Sequence, residues 1–113
     1  MEVSSIVKKL SILASGGAQT MTDYHLAKGL VDDVVFDWAD PTKEIVDPAC
    51  GKGMLLLVCA EKLYQHGHTP EHIVTNMLFG FDIDEVQVWS TRSVLKLFCD
   101  VPSNIEHKDF LDE

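Results

Sequence analysis

The sequence predicts an α/β protein built on a parallel sheet with flanking helices, half of a doubly wound arrangement. Short apolar runs at residues 44–47, 78–82 and 104–106 are predicted strands, and helical patterns over 54–64 and 84–98 separate them. This alternation implies parallel strands joined by right-handed crossovers. A carboxylate also stands at or just past the end of each strand, where ligands bind in such sheets. The three residues are Asp47, Asp82 and Asp109.

The composition limits the class of protein. With 113 residues and 46% apolar content, the chain has room for one domain with a real core. Lys and Arg number 9 against 18 Asp and Glu, and the net charge of −9 is a poor match to a polyanion such as nucleic acid. Three cysteines form no dense disulfide framework, which predicts reduced thiols in a cytoplasmic protein. No apolar run is long enough to span a membrane, and a signal peptide is the weaker reading of the N-terminus because Lys8 and Lys9 interrupt it.

The N-terminal part is predicted to be helical. A short helix is predicted over 3–14, and a glycine pair at 16–17 breaks the chain after it. Thr22 and Asp23 are predicted to cap the next helix, which the Asp-Pro pair at 40–41 ends. Apolar residues follow this cap at helical spacing and are predicted to form one apolar face. They are Leu26, Ala27, Leu30, Val31, Val34 and Val35.

Three helices are predicted between and beside the strands. A largely buried helix runs from Met54 to Tyr64, Thr69 caps a short helix over 70–77, and Asp84 caps the long one. The apolar residues of the long helix are expected to pack on the sheet, and both tryptophans are expected in the core or in helix packing rather than as platforms for a nucleotide. These packing positions are Trp38, Val86, Val88, Trp89, Val94, Leu95, Leu97 and Phe98.

The loop after the first strand runs Asp-Pro-Ala-Cys-Gly-Lys-Gly from residue 47 to residue 53. Gly51 and Gly53 carry no Cβ, so a ligand can approach the backbone closely. The loop lacks the spacing of a P-loop, and Leu56 stands where the dinucleotide-binding fingerprint needs its third glycine. Taken alone, the glycine pair is also compatible with a tight strand-to-helix turn.

In its context, the run IVDPACGKGMLLL closely resembles the first motif of adenine-specific DNA methyltransferases, an Asp-Pro-Ala-Cys-Gly-Ser-Gly loop before an apolar helix. Three further motifs of that family have counterparts here in the same order. GGAQTMTDYHLAKGLV resembles the motif over the methionine end of the cofactor, GFDIDE resembles the second motif, and HKDFL resembles the third. The resemblance spans about residues 16–111. The chain departs from it at Asp23, Lys52 and Leu55, where the family commonly has proline, serine and phenylalanine.

The resemblance implies a Rossmann-like methyltransferase fold that uses S-adenosylmethionine as its cofactor. In this family the loop after the first strand wraps the methionine part. Asp82 would accept from the ribose hydroxyls, Ile83 would pack on the adenine ring, and Asp109 would accept from the adenine amino group. Taken singly, each carboxylate is as compatible with a strand end or a solvated side chain. The implied cofactor-binding residues are Thr22, Asp47, Pro48, Ala49, Cys50, Gly51, Gly53, Asp82, Ile83, Asp109 and Phe110.

The family's catalytic motif has no counterpart in these residues. That motif is Asn, Asp or Ser followed by Pro-Pro and an aromatic residue, and no two prolines are adjacent here. No catalytic residue is therefore predicted, and the chain alone is expected to be inactive. We interpret residues 1–113 as one partial methyltransferase domain, with a helical segment over 1–40 and a cofactor-binding βαβαβ half over 41–113. DNA would be bound through regions absent from this chain.

The preferred interpretation is thus the cofactor-binding portion of an adenine-N6 DNA methyltransferase of the restriction-modification type. One alternative is a non-catalytic truncated relative or one half of a split enzyme. Another is a methyltransferase of the same fold that acts on RNA or protein. His66, His68 and His72 have a metal-like spacing, but no cysteine or carboxylate pattern completes a site, so no metal is predicted.

The strand at 44–47 is predicted to be an exposed edge. In this fold the first three strands order as 3-2-1, and further strands add beside the first. Without them, unpaired backbone groups would lie beside Ile45 and Val46, and such an edge invites pairing with another chain. We predict self-association, or pairing with a complementary methyltransferase fragment. The alternative is a monomer whose N-terminal segment folds over the edge.

Overall fold

The computed structural model describes residues 17–51 and 53–109, and of residues 17–22 it describes only the backbone. The helix predicted over 3–14 lies outside these residues. In the described part, no helix is long and apolar enough to cross a membrane. In chain order, the elements are α1 (Gly17–Asp32), β1 (Ile45–Asp47), α2 (Met54–Gln65), α3 (Pro70–His72, continued by a π-helical turn at Ile73–Met77), β2 (Leu78–Asp82), α4 (Glu85–Phe98) and β3 (Asn104–His107).

The three strands form one parallel sheet in the order β1-β2-β3. This confirms the predicted parallel pairing and strand order. Val46 of β1 lies beside Phe79 of β2, and Asp82 at the end of β2 lies beside His107 of β3. Because all three strands run in the same direction, Asp47 and Asp82 end their strands at the same edge of the sheet.

α2 is largely buried, as predicted, and its packing fixes the loop that precedes it. Leu56, Leu57 and Leu63 have no exposed surface. Below them β2 carries Gly80, where a Cβ would lie 3.1 Å from Cys50 Cβ and 3.1 Å from Leu56 Cδ1. The missing side chain therefore lets the loop and α2 pack directly on the middle strand.

α1 differs from its predicted cap and from its predicted C-terminal end. Gly17, the first described residue, is already helical, and residues 22–23 lie within the helix instead of capping it. The predicted break at the glycine pair involves Gly16, which lies outside the described residues. It ends at Asp32, because Val34 N–H bonds to Val31 O three residues back and tightens the chain into a turn. Asp40, predicted to end the helix, belongs to a separate turn.

α1 buries a narrower apolar face than the sequence predicts. Tyr24, Ala27 and Val31 are buried on one stripe, because α1 packs chiefly on α2. The Tyr24 hydroxyl also donates to the carboxylate of Glu61 on α2, with both oxygens at 3.0 Å. The rest of the predicted face is exposed to solvent. Its residues are Leu26, Leu30, Val34 and Val35.

α4 confirms its predicted cap but only part of its predicted packing. The Asp84 carboxylate accepts from Val86 N–H at 2.9 Å. Trp89 is 71% exposed, so the prediction that it packs in the core is wrong, and Val86 and Leu97 are exposed as well. The reason is that α4 rests on the sheet through one side only. The predicted packing positions of α4 that are buried are Val88, Val94, Leu95 and Phe98. Trp38, which precedes β1, is buried as predicted as well.

α3 has the predicted start, and then departs from α-helical geometry. Thr69 Oγ1 accepts from His72 N–H at 3.2 Å, and Pro70 is the first helical residue. The following residues form a π-helical turn. The Thr75 hydroxyl donates to Glu71 O at 2.6 Å, which is the carbonyl that an α-helical N–H would use.

Candidate functional site

The candidate site lies at the carboxyl ends of β1 and β2. Asp47 ends β1, the glycine loop follows it, and Asp82 ends β2 on the adjacent strand. Asp109 stands two residues after the end of β3 and is exposed. The fold therefore brings the loop and the carboxylates to one edge of the sheet, as the sequence predicts for parallel strands.

Asp82 connects three segments at this edge. Its Oδ2 accepts from Gly51 N–H at 3.0 Å, and its Oδ1 accepts from Asp84 N–H at 2.8 Å. Its backbone carbonyl accepts from Lys108 N–H at 3.0 Å. A carboxylate offers about four lone pairs, so each oxygen retains the capacity to accept one further hydrogen bond. The side chain is half-buried, which leaves this capacity accessible to a ligand.

The loop turns sharply at two glycines. Gly51 has a φ of 53° and Gly53 a φ of 83°, both in the left-handed region that favours glycine. Cys50 N–H bonds to Phe81 O at 2.9 Å, which anchors the loop on β2. A Cβ on Gly53 would lie 3.0 Å from Thr91 Cγ2 and 3.1 Å from Thr91 Cα, so a side chain at this position would meet α4.

α2 begins directly at the loop, with its first turn open. Gly53 is its N-cap and has no side chain to satisfy the N–H groups of that turn. Such a helix end carries a partial positive charge and attracts an anionic group. The edge therefore offers an anion-binding point beside the carboxylate of Asp82.

Thr91 is a site residue that the sequence analysis missed. It is fully buried on α4, and its hydroxyl donates to Gly51 O at 2.6 Å and lies 3.5 Å from Cys50 Sγ. It thus holds Gly51 by the carbonyl, whereas Asp82 holds the same residue by the N–H. A signal for it exists in the sequence, because Thr91 is a polar residue on the same helical stripe as Val88 and Leu95.

The thiol of Cys50 is not activated. Burial raises its pKa, and the hydrogen bond from Thr91 opposes that effect only in part. Burial also raises the pKa of Cys59 on α2 to about 12. Both thiols therefore stay protonated at neutral pH, which agrees with assigning Cys50 no covalent role.

The remaining predicted residues have different surroundings. Asp47 Oδ1 accepts from Ala49 N–H at 3.1 Å, which holds the start of the loop, and Pro48 is exposed. Ile83 is 71% exposed beside Asp82, where its side chain is free to contact a flat apolar ring. For Thr22 only the backbone is described, and Phe110 lies outside the described residues.

Two of the three histidines with metal-like spacing form structural hydrogen bonds to the backbone. A ring nitrogen of His68 donates to Trp38 O at 2.6 Å, and one of His72 donates to Pro41 O at 2.8 Å, so both fasten the segment before β1. His66 is exposed. Among residues 17–51 and 53–109, no group of three or more His, Cys, Asp or Glu side chains is placed to hold a metal ion.

Comparison with known proteins gives one informative likeness. Over 66 residues the chain is 42% identical to "Type II methyltransferase M.VspI" of Vibrio sp. (strain 343). The matched stretch is 58% of this chain and 14% of that protein, so the chain spans about one seventh of the relative. No family model matches the chain, and no solved structure matches it. The likeness supports a methyltransferase, and the parallel α/β sheet is compatible with a Rossmann-like fold.

Proposed function

We propose that this chain is the S-adenosylmethionine-binding portion of a DNA methyltransferase that modifies the N6 amino group of adenine, in a restriction-modification system. The observation that carries the proposal is the hydrogen bond from Gly51 N–H to the Asp82 carboxylate. It sets an open glycine loop and a hydroxyl-binding carboxylate side by side. The likeness to a Type II methyltransferase supports the same proposal. The three cysteines are free, which is compatible with the proposed cytoplasmic location.

The described residues fit the chemical groups of this cofactor. The open first turn of α2 would receive the methionine carboxylate. The remaining lone pairs of Asp82 would accept from the two ribose hydroxyls, and exposed Ile83 would contact the adenine ring. Asp47 and Asp109 would add negative charge beside a cofactor that carries a positive sulfonium. When bound, S-adenosylmethionine supplies the electrophilic methyl group, and these residues would orient it.

The chemistry on the target base is proposed to lie elsewhere in the polypeptide. The 113 residues contain no Pro-Pro sequence and carry a net charge of −9. They therefore lack the motif that holds a flipped adenine in the family that the sequence resembles. The main DNA-binding surface is proposed to lie outside them as well. By themselves, these residues would bind the cofactor and transfer no methyl group.

Titration calorimetry tests the proposal. S-adenosylmethionine and S-adenosylhomocysteine are each expected to bind at one site, because both carry the carboxylate, the ribose and the adenine. NAD is the control ligand. It has the same ribose hydroxyls, but the loop lacks the third glycine of the dinucleotide-binding fingerprint and carries Leu56 in its place, so we expect no binding. Tight NAD binding without S-adenosylmethionine binding would contradict the proposal and favour a dinucleotide-binding protein.

We also propose that the edge of β1 pairs with a strand from the remainder of the methyltransferase. Among the described residues, β1 pairs only with β2, and Val46 is 48% exposed. An apolar groove of about 380 Å³ runs beside β1 and reaches Leu30, Ile45 and Leu55. The other edge strand is better covered, since the Arg92 guanidinium donates to its backbone at Ile105 O. An open edge next to apolar surface favours strand addition.

In the absence of that partner, the 113-residue chain is expected to self-associate at high concentration. Sedimentation over a range of concentrations measures this. Leu30→Glu places a charge in the groove and is expected to shift the chain toward monomer. Val35→Glu is the control, because Val35 is fully exposed and does not line the groove. A wild-type chain that stays monomeric at high micromolar concentration would show that this edge is covered.

A further inference from the structure

A shallow depression lies on the outer side of α4, away from the candidate cofactor site. Its volume is about 460 Å³. Four residues of α4 line it, Trp89, Arg92, Ser93 and Lys96, and the turn before β3 closes it at residues 101–103. None of these residues takes part in the function proposed above.

Trp89 is the most unusual of these residues. Its side chain is 71% exposed, whereas the other tryptophan, Trp38, is buried. Leaving a large aromatic surface in water forfeits the stabilisation that its burial would bring. Its flat ring forms one wall of the depression and is accessible to a stacking partner.

The two cations lie one helical turn apart beside Trp89. Arg92 Nε and Nη2 donate to Ile105 O at 3.0 and 2.6 Å, which fixes the guanidinium and leaves the Nη1 donors for a ligand. Lys96 follows four residues later on the same face of α4. Neither cation forms an ion pair with any carboxylate of the described residues. By contrast, most of the other described lysines do form an ion pair with a carboxylate. They are Lys28, Lys62 and Lys108.

We infer that this depression binds single-stranded DNA, with a base stacked on Trp89 and backbone phosphates at Arg92 and Lys96. An aromatic platform beside cations is the usual arrangement for binding single strands without sequence preference, because every base has a π face. Two cations in line along a helix suit a polymeric anion better than a single phosphate. The choice of DNA as the nucleic acid rests on the proposed function.

The location gives such a contact a use. α4 starts at Asp84, next to Asp82, and Arg92 lies about 12 Å further along the helix axis. The depression ends at the turn before β3, at the amino ends of the strands, so a strand held there would lie toward the far end of α4 from the proposed cofactor site and would anchor the DNA without entering that site. Contacts to phosphates position a nucleic acid without reading its sequence. With a net charge of −9 on the chain, this would be a local, salt-sensitive contact and not the main DNA-binding surface.

Tryptophan fluorescence of the 113-residue chain, titrated with a deoxythymidine oligonucleotide at low ionic strength, tests the inference. Because Trp38 is buried, quenching by a stacked base would come from Trp89. We expect saturable quenching that is lost in Trp89→Phe and kept in Trp38→Phe. Lys96→Glu is expected to weaken binding about tenfold. Lys43→Glu makes the same charge change at another exposed lysine and is expected to change binding less than about twofold.

Three results would overturn the inference. They are unchanged emission with the oligonucleotide, equal affinities of Lys96→Glu and Lys43→Glu, and binding of duplex DNA alone. An emission maximum showing that Trp89 is shielded from water before any oligonucleotide is added would also overturn the inference. It would mean that another part of the polypeptide covers the depression. Calorimetry with S-adenosylmethionine on Lys96→Glu separates the two proposals. Oligonucleotide binding without cofactor binding would contradict the proposed function while leaving a nucleic-acid site on α4.

Discussion

Replacing Gly53 with alanine is expected to lower the free energy of unfolding by about 3 kcal/mol and to disrupt the glycine loop at residues 47–53. Two costs combine at this position. The φ of 83° is unfavourable for a residue with a Cβ, and the new Cβ would lie 3.0 Å from Thr91 Cγ2 and 3.1 Å from Thr91 Cα. The second of these atoms is backbone, so the clash can be relieved only by moving α4 or the loop.

Gly67→Ala separates the two costs. Gly67 has a φ of 97°, but a Cβ there would have no atom within 4 Å, so only the backbone strain remains. We expect it to lose about 1 kcal/mol and to keep its cofactor affinity. Urea unfolding followed by circular dichroism measures both variants under the same conditions. Equal losses in Gly53→Ala and Gly67→Ala would show that Thr91 does not restrict the loop.

The parts of the fold that depend on local chemistry were predictable from the sequence. β2 has its predicted bounds at Leu78 and Asp82, and the caps at Thr69 and Asp84 form as expected. A cap needs only a side-chain oxygen and a nearby N–H, so few residues determine it. The parallel order of the strands followed in the same way from the alternation of elements.

The parts that depend on which surfaces meet were not predictable. The spacing of apolar residues in α1 allowed a wide buried face, but the helix has only α2 to pack on, and Leu26 and Leu30 stay exposed. The same argument applies to Trp89 on α4, which the sheet does not reach. An apolar side chain predicts burial only where another element is available to cover it.

The candidate site has some features that local sequence predicts and others that depend on how distant segments pack together. The glycine loop and Asp82 were found from local motifs, and parallel topology was enough to place them at one edge. The contacts that hold the loop, from Asp82 to Gly51 and from Thr91 to Gly51, join residues 31 and 40 positions apart. Such pairings depend on the relative placement of α4 and the loop, which no spacing within either segment encodes.

Asp82→Asn is expected to weaken S-adenosylmethionine binding by about 1.5–3 kcal/mol, the scale for hydrogen bonds to a charged group. The carboxylate already accepts from Gly51 N–H and Asp84 N–H and would accept the ribose hydroxyls with its remaining lone pairs. Asparagine keeps the size of the side chain but has one accepting oxygen in place of two. Calorimetry measures the affinity, and urea unfolding of the same protein confirms that the variant is folded.

Asp84→Asn is the matched control, because it removes the same charge two residues away while asparagine keeps the helix cap. We expect its affinity to stay within about 0.5 kcal/mol of the wild-type value. A cofactor analogue that lacks the ribose hydroxyls gives the final comparison. It should bind the wild-type chain and Asp82→Asn nearly equally, since the interaction removed by the variant is already absent from the ligand. If Asp82→Asn weakens the analogue as much as the cofactor, Asp82 acts on the loop through Gly51 and does not bind the ribose.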